Sequence, residues 1–271
     1  LKTVMEALPV AIFRVERSSD GDSEGPACHE LDYNTEILHY TEALLDLAKN
    51  ADVDGSKIYL YGSSLGSTVA PLVGQKLKQE GLQVAGLMVQ GGGAVTYIER
   101  MINFDRQYLE RRDGREFENI QEEMSDRILF QSEYLIKGRH PDEIAKDSPA
   151  MKRVRDNTLG LNPTNHYGRP FAWHQQAAKQ DFLEAWLEVS APSLIAFAEF
   201  DQFEGRHGHK MIAQVLNRVT PGLAKYVELE NINHFNDLHT DIDQAYFRAE
   251  GTPAIDVLAA ELVKWLGESL N

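Results

Sequence analysis

Lys57-Ile58-Tyr59-Leu60-Tyr61-Gly62-Ser63-Ser64-Leu65-Gly66-Ser67 is the stretch from which the rest of the chain can be read. After Lys57, its residues Ile58 to Tyr61 are apolar and aromatic, and Lys57 to Tyr61 predicts a short buried strand. From Leu65 to Glu80 the apolar residues recur at helical spacing, so a helix follows with only a tight turn between. Such a turn brings backbones close together, and the positions two before and two after its apex should be tiny. Gly62 and Gly66 meet that need. Ser64, at the apex, then carries its hydroxyl above the end of the strand, and the Leu65 N–H at the helix start points where a negative oxygen could be received. A bare GxSxG arises easily by accident; the strand before it and the helix after it give this one its weight. Ser63 is a second hydroxyl, but it is off the central position.

Four further apolar runs predict strands: Pro9 to Val15, Val84 to Gln90, Ser193 to Glu199 and Lys225 to Leu229. Helical patterns lie at Thr35 to Lys49 and Pro253 to Leu266. Strands alternating with helices imply right-handed crossovers and a mostly parallel sheet. The alternation stops between about Thr96 and Ser190, where helical periodicity appears at Tyr97 to Arg111, Phe117 to Lys137 and Trp173 to Val189. The expected organisation is an α/β core from 1–95 and 191–271, with a helical cap inserted at 96–190. In open α/β sheets ligands bind beyond the carboxyl ends of the strands, so the cap is expected to roof that edge.

A lone serine is a weak nucleophile and needs a base, which in turn needs an orienting acid. Where the serine sits on a strand-to-helix turn, acid and then histidine follow it in the chain. The run Ser193 to Glu199 leads into Phe200 and Asp201. A carboxylate just beyond a buried strand stands on the same rim as Ser64, which favours Asp201 over Glu199, still inside the strand. His234 falls in the loop after the next strand, where a base would overhang the sheet. His239, His207 and His209 are the competing histidines, less well placed.

The 271 residues suffice for one large α/β domain, and the 42% apolar and 25% charged content is ordinary for a soluble globular protein. No run is long enough to span a membrane and no leader-like segment opens the chain, so a cytoplasmic location and no membrane partner are expected. The net charge of −15, from 42 acidic and 27 basic residues, repels phosphate backbones and argues against nucleic acid. Cys28 is the single cysteine, which excludes an internal disulfide and a CxxC site. Asp20 to Gly25 has alternating oxygens but too few ligands for a calcium loop. Gly91-Gly92-Gly93 lacks a phosphate-binding pattern and reads as a flexible exit into the cap. His207, His209 and Glu204 are weakly spaced for a metal. Tyr167, Phe171, Trp173 and His174 could line a pocket, or simply pack their helices.

Three segments carry a resemblance. FRVERSSDGDSEGPACHELDYNTE (Phe13 to Glu36) resembles the GDSEGP-bearing turn of a group of bacterial α/β-hydrolases. His166 to Phe203 is similar to that group's cap exit and acid-bearing strand, and Asn231 to Asp237 to its histidine loop. Some members carry an N-terminal PDZ-like domain. The likeness runs from about Val10 to Leu266 and implies an α/β-hydrolase fold with Ser64, Asp201 and His234 as the triad.

There are two departures. Relatives read GHSxGG where this chain has Gly62-Ser63-Ser64-Leu65-Gly66-Ser67, and they have strands and an oxyanion loop ahead of the segment that opens this chain. The second oxyanion donor, beside the Leu65 N–H, is therefore expected upstream of Leu1. An edge left open there would invite self-association, so a homo-oligomer is among the expectations. The implied reaction is cofactor-free acyl transfer from a small-molecule ester or thioester to water. A peptidase or amidase with the same triad and a non-catalytic binding module are the alternatives.

Overall fold

Strands that are apolar at consecutive positions must be covered on both faces, and the middle of this sheet is. The computed structural model describes residues 1–92, 96–112, 117–246 and 250–270. Strands β1 (Tyr59–Ser63), β2 (Gly86–Gln90), β3 (Ser193–Phe200) and β4 (Ala224–Asn233) lie side by side in chain order, all parallel. Two short strands, β5 (Asp237–Leu238) and β6 (Thr252–Pro253), continue the sheet antiparallel beyond β4. Helices α1 (Lys2–Ala7) and α2 (Tyr33–Leu47) precede β1, and α3 (Gly66–Gln79) joins β1 to β2. Between β2 and β3 come α4 (Tyr97–Gln107), α5 (Phe117–Gln131), α6 (Pro141–Ile144), α7 (Pro149–Asn157), α8 (Phe171–Ala177) and α9 (Phe182–Val189). Helix α10 (Arg206–Val219) joins β3 to β4, α11 (Ile242–Tyr246) lies between β5 and β6, and α12 (Ile255–Leu270) ends the described chain.

The period of two along each strand sorts its side chains into two cores. Leu87, Val89 and Ile195 pack with Ile37, Leu72, Leu77, Ile212 and Leu216 from α2, α3 and α10. Met88, Leu194, Ala196 and Leu229 pack on the other face with Val4, Leu258, Leu262 and Trp265 from α1 and α12. Each Val, Leu, Ile or Met among them, fully buried, contributes about 1.5–3 kcal/mol. Helix α9 lies against α3, where a Cβ on Gly74 would come within 2.9 Å of Val189. The segment between β2 and β3 therefore returns to the sheet layer before β3 begins.

Several expectations are corrected. Pro9 to Val15 is not a strand: it has no ladder pairing and no regular secondary structure, and Phe13 is 50% exposed. Apolarity supplied a demand for burial, which Val10 meets by packing beside α12, but a strand also needs a neighbour, and no described strand runs alongside this segment. Trp173 to Val189 forms two helices rather than one, because Asp181 caps a new start by accepting the Glu184 N–H at 2.9 Å. Helices α6 and α7 lie where the sequence periodicity predicts no helix; both are short and begin on a proline, the latter behind the Ser148 cap. Strand β4 runs past Leu229 to Asn233 with an irregularity opposite Ala198–Phe200, and this extra length carries the chain to His234.

Candidate active site

Strand β1 ends at Ser63, and the chain turns through Ser64 with φ +51°, a left-handed conformation unusual for a residue with a Cβ. The Ser64 N–H donates to the Gln90 carbonyl at 2.8 Å, and the Ser67 N–H donates back to the Ser64 carbonyl at 3.0 Å. These bonds hold a conformation that costs on the order of 1–3 kcal/mol. Gly62 is sterically required: a Cβ there would lie 2.2 Å from the Gly66 carbonyl oxygen. Gly66 is not, since a Cβ at that position meets nothing within 4 Å. The expected symmetry of the two glycines is therefore wrong, because only Gly62 points its missing side chain into the turn.

The three side chains singled out above meet at this rim. Ser64 Oγ lies 2.8 Å from His234 Nε2, and His234 Nδ1 lies 2.8 Å from Asp201 Oδ2. A carboxylate can only accept, so Nδ1 carries the proton and Nε2 is left to accept from the serine hydroxyl. The other Asp201 oxygen accepts the Phe203 N–H at 2.8 Å and the Glu204 N–H at 2.9 Å, which fixes the carboxylate plane. The His234 N–H donates to Gln202 Oε1 at 3.3 Å. Burial opposes a charge on His234, but the Asp201 charge and hydrogen bond, helped by Glu204, outweigh it, and the imidazole pKa stands above its ordinary value. Leu65 directly precedes α3, so its N–H is among those a helix start leaves available to an oxyanion.

The competing residues are engaged elsewhere. Glu199 accepts the Asn231 N–H at 2.9 Å and lies 3.8 Å from Arg206. His239 bonds Asn233, and His207 is exposed. His209 is buried and held neutral by desolvation; it accepts the Gly92 N–H at 2.9 Å and donates through Nδ1 to the Gly205 carbonyl. Glu204 pairs with Arg100 at 2.6 Å, and burial with the neighbouring Asp201 charge pushes its pKa up to about 7. Among the described residues no group of His, Cys, Asp and Glu is arranged to hold a metal. Trp173 and His174 are buried, donating to Glu36 and bonding Tyr97 respectively, while Tyr167 stands exposed.

Three supporting features escaped the sequence. Gly91 and Gly92 are close-approach positions rather than a loose exit: a Cβ on Gly91 would lie 3.2 Å from the His234 ring, and one on Gly92 would overlap Ser67 Oγ at 1.2 Å. Gly93 is outside the described residues. Helix α4 clasps the loop after Asp201 through Arg100–Glu204, through Gln107 donating to the Glu204 carbonyl at 3.3 Å, and through Phe104 stacked on Phe203 at 5.4 Å. Tyr246 of α11 reaches both Gln107 and the Asp201 carbonyl. A glycine pair ending an apolar strand was the one available signal, since strand glycines often mark close backbone approach.

A serine on the turn after one parallel strand, an aspartate after the next but one and a histidine after the following strand are arranged as in the α/β-hydrolase fold. No family model matches the chain, and no curated protein matches it. Solved structures do at low identity. The chain is similar to DcsB, solved in complex with its substrate analogue, with 17% identity over 93% of this chain and 78% of that one, TM-score 0.49. It is similar to alpha/beta hydrolase GrgF from Penicillium sp. sh18, with 14% identity over 92% and 76%, TM-score 0.48. A thermophilic esterase from Thermogutta terrifontis gives 15% identity over 92% and 76%, TM-score 0.46. These values carry nothing about activity, which has to come from the side chains themselves. Among the described residues no helix is long and apolar enough to cross a membrane.

Proposed function

We propose that the protein is a serine hydrolase that cleaves an ester, thioester or related acyl bond through Ser64, His234 and Asp201. The reading is carried by the His234 ring, which bridges the Ser64 hydroxyl and the Asp201 carboxylate at 2.8 Å on each side. His234 takes the Ser64 proton as Oγ attacks the carbonyl carbon, and the Leu65 N–H faces the oxygen that becomes negative. His234 then passes the proton to the leaving oxygen or sulfur, the acyl group stays on Ser64, and water activated by the same ring releases the acid. Asp201, with both oxygens engaged, keeps the imidazole in the tautomer this requires. No step calls for a cofactor. In this reading the 96–190 segment acts as the cap, since α4 reaches the acid loop directly.

A fluorophosphonate should label wild-type protein at Ser64 and leave Ser64→Ala unlabelled. Short-chain p-nitrophenyl esters should turn over faster than aminoacyl amides; the reverse order would favour the peptidase or amidase alternative. Absence of both labelling and turnover would leave the fold without the chemistry.

A further inference from the structure

His234 hands its proton to the leaving group, so the leaving group must sit within hydrogen-bond reach of Nε2 and against whatever surrounds that ring. What surrounds it is aromatic. Phe203 packs on His234 with ring centroids 4.8 Å apart, and Phe235 stands edge-on to both, 5.6 Å from His234 and 5.7 Å from Phe203. Phe203 stacks parallel on Phe104 at 5.4 Å, and Phe104 meets Tyr108 at 5.0 Å. A continuous run of rings thus leads from the base to helix α4.

The outer member of this run is held out deliberately by the backbone. Phe235 is 58% exposed, yet its loop is not loose. Buried Asn233 accepts both the Phe235 N–H and the Asp237 N–H at 2.9 Å, and donates to His239 at 2.9 Å. Phe235 therefore presents much of its ring to solvent in a fixed position beside the base. A ring so placed gains little on folding, but it can gain from a ligand that covers it.

Resting on the serine-hydrolase reading, we propose that Phe203 and Phe235 form the leaving-group subsite and that the alcohol released is arylalkyl, with a ring that stacks against this wall. The reaction is R–CO–O–CH2–Ar plus Ser64–OH giving acyl-Ser64 and ArCH2OH. The serine proton travels through His234 to the alcohol oxygen, and water then cleaves the acyl-serine.

The test compares kcat/KM for benzyl butanoate and ethyl butanoate, which share the acyl group and differ only in the alcohol. Wild type should prefer the benzyl ester. Phe235→Ala should lower the benzyl-to-ethyl ratio by about five- to tenfold, the scale of one aromatic contact with its burial, and Phe235→Tyr should restore it. Comparing this ratio between variant and wild type cancels the intrinsic reactivity of the two esters, and the ratio itself cancels any general loss from altered folding. Fluorophosphonate labelling of wild type together with a ratio unmoved in Phe235→Ala would overturn the aromatic subsite and leave the hydrolase standing. Wild type that is neither labelled nor active on either ester would overturn both.

Discussion

Gly62 and Gly66 flank the Ser64 turn symmetrically in sequence, and the structure predicts opposite consequences when each becomes alanine. A Cβ on Gly62 would lie 2.2 Å from the Gly66 carbonyl oxygen, 2.6 Å from its carbon and 3.0 Å from the Ser67 nitrogen. All three are backbone atoms at the start of α3, so no side chain can swing away. Relief of the closest contact needs a shift of roughly 1 Å, with an overpacking cost of about 1–3 kcal/mol. The same shift moves Ser64 and the Leu65 N–H relative to His234, and a displacement of roughly 1 Å in a reacting group can lower turnover about 100-fold. Gly66→Ala meets nothing within 4 Å and replaces a helical glycine, so it should be neutral or stabilise by up to about 0.5–1 kcal/mol. Thermal melts of the two variants, with turnover of a p-nitrophenyl ester, read both effects. Equal melting temperatures, or a larger loss in Gly66→Ala, would refute the steric account of the turn.

Four other outcomes follow from the site. Ser64→Ala should keep the wild-type circular dichroism while losing turnover by about a million-fold; normal turnover would remove Ser64 as nucleophile. The base works only when neutral, and the Asp201 charge raises the His234 pKa, so kcat/KM should rise with pH to a midpoint above the ordinary imidazole value of about 6.5. A profile flat from pH 5 to 8 would argue against a histidine base. Asp201→Asn should cost about 10⁴-fold in kcat and move that midpoint to lower pH, because the burial that remains favours neutral imidazole. Glu199→Gln, which removes a charge facing Arg206 and touches Asn231 rather than His234, should leave both readings near wild type, and a large loss there would reverse the assignment of the acid.

Much of the site is local information and could be read from the chain alone. Ser64 announces itself because a strand, a tight turn and a helix follow one another without a break from Tyr59 to Gln79. Asp201 and His234 follow because each lies just beyond an apolar run, and parallel strands bring their carboxyl ends to one rim. The alternation of strands and helices, and its interruption after β2, likewise came from periodicity in short windows. Tertiary structure decided what depends on partners distant in sequence. Pro9 to Val15 had the composition of a strand, but composition cannot supply the neighbour that a ladder requires. The unequal roles of Gly62 and Gly66 depend on which way an absent side chain would point. The clasp of α4 on the loop after Asp201 joins Arg100 to Glu204, and the bond from Gly92 to His209 spans a similar separation. The ring of Phe235 is aromatic in the sequence; only the packing around Asn233 makes it a wall beside the base. Periodicity reports how a segment meets the core, whereas close approach and pairing are set by the segment on the other side of the contact.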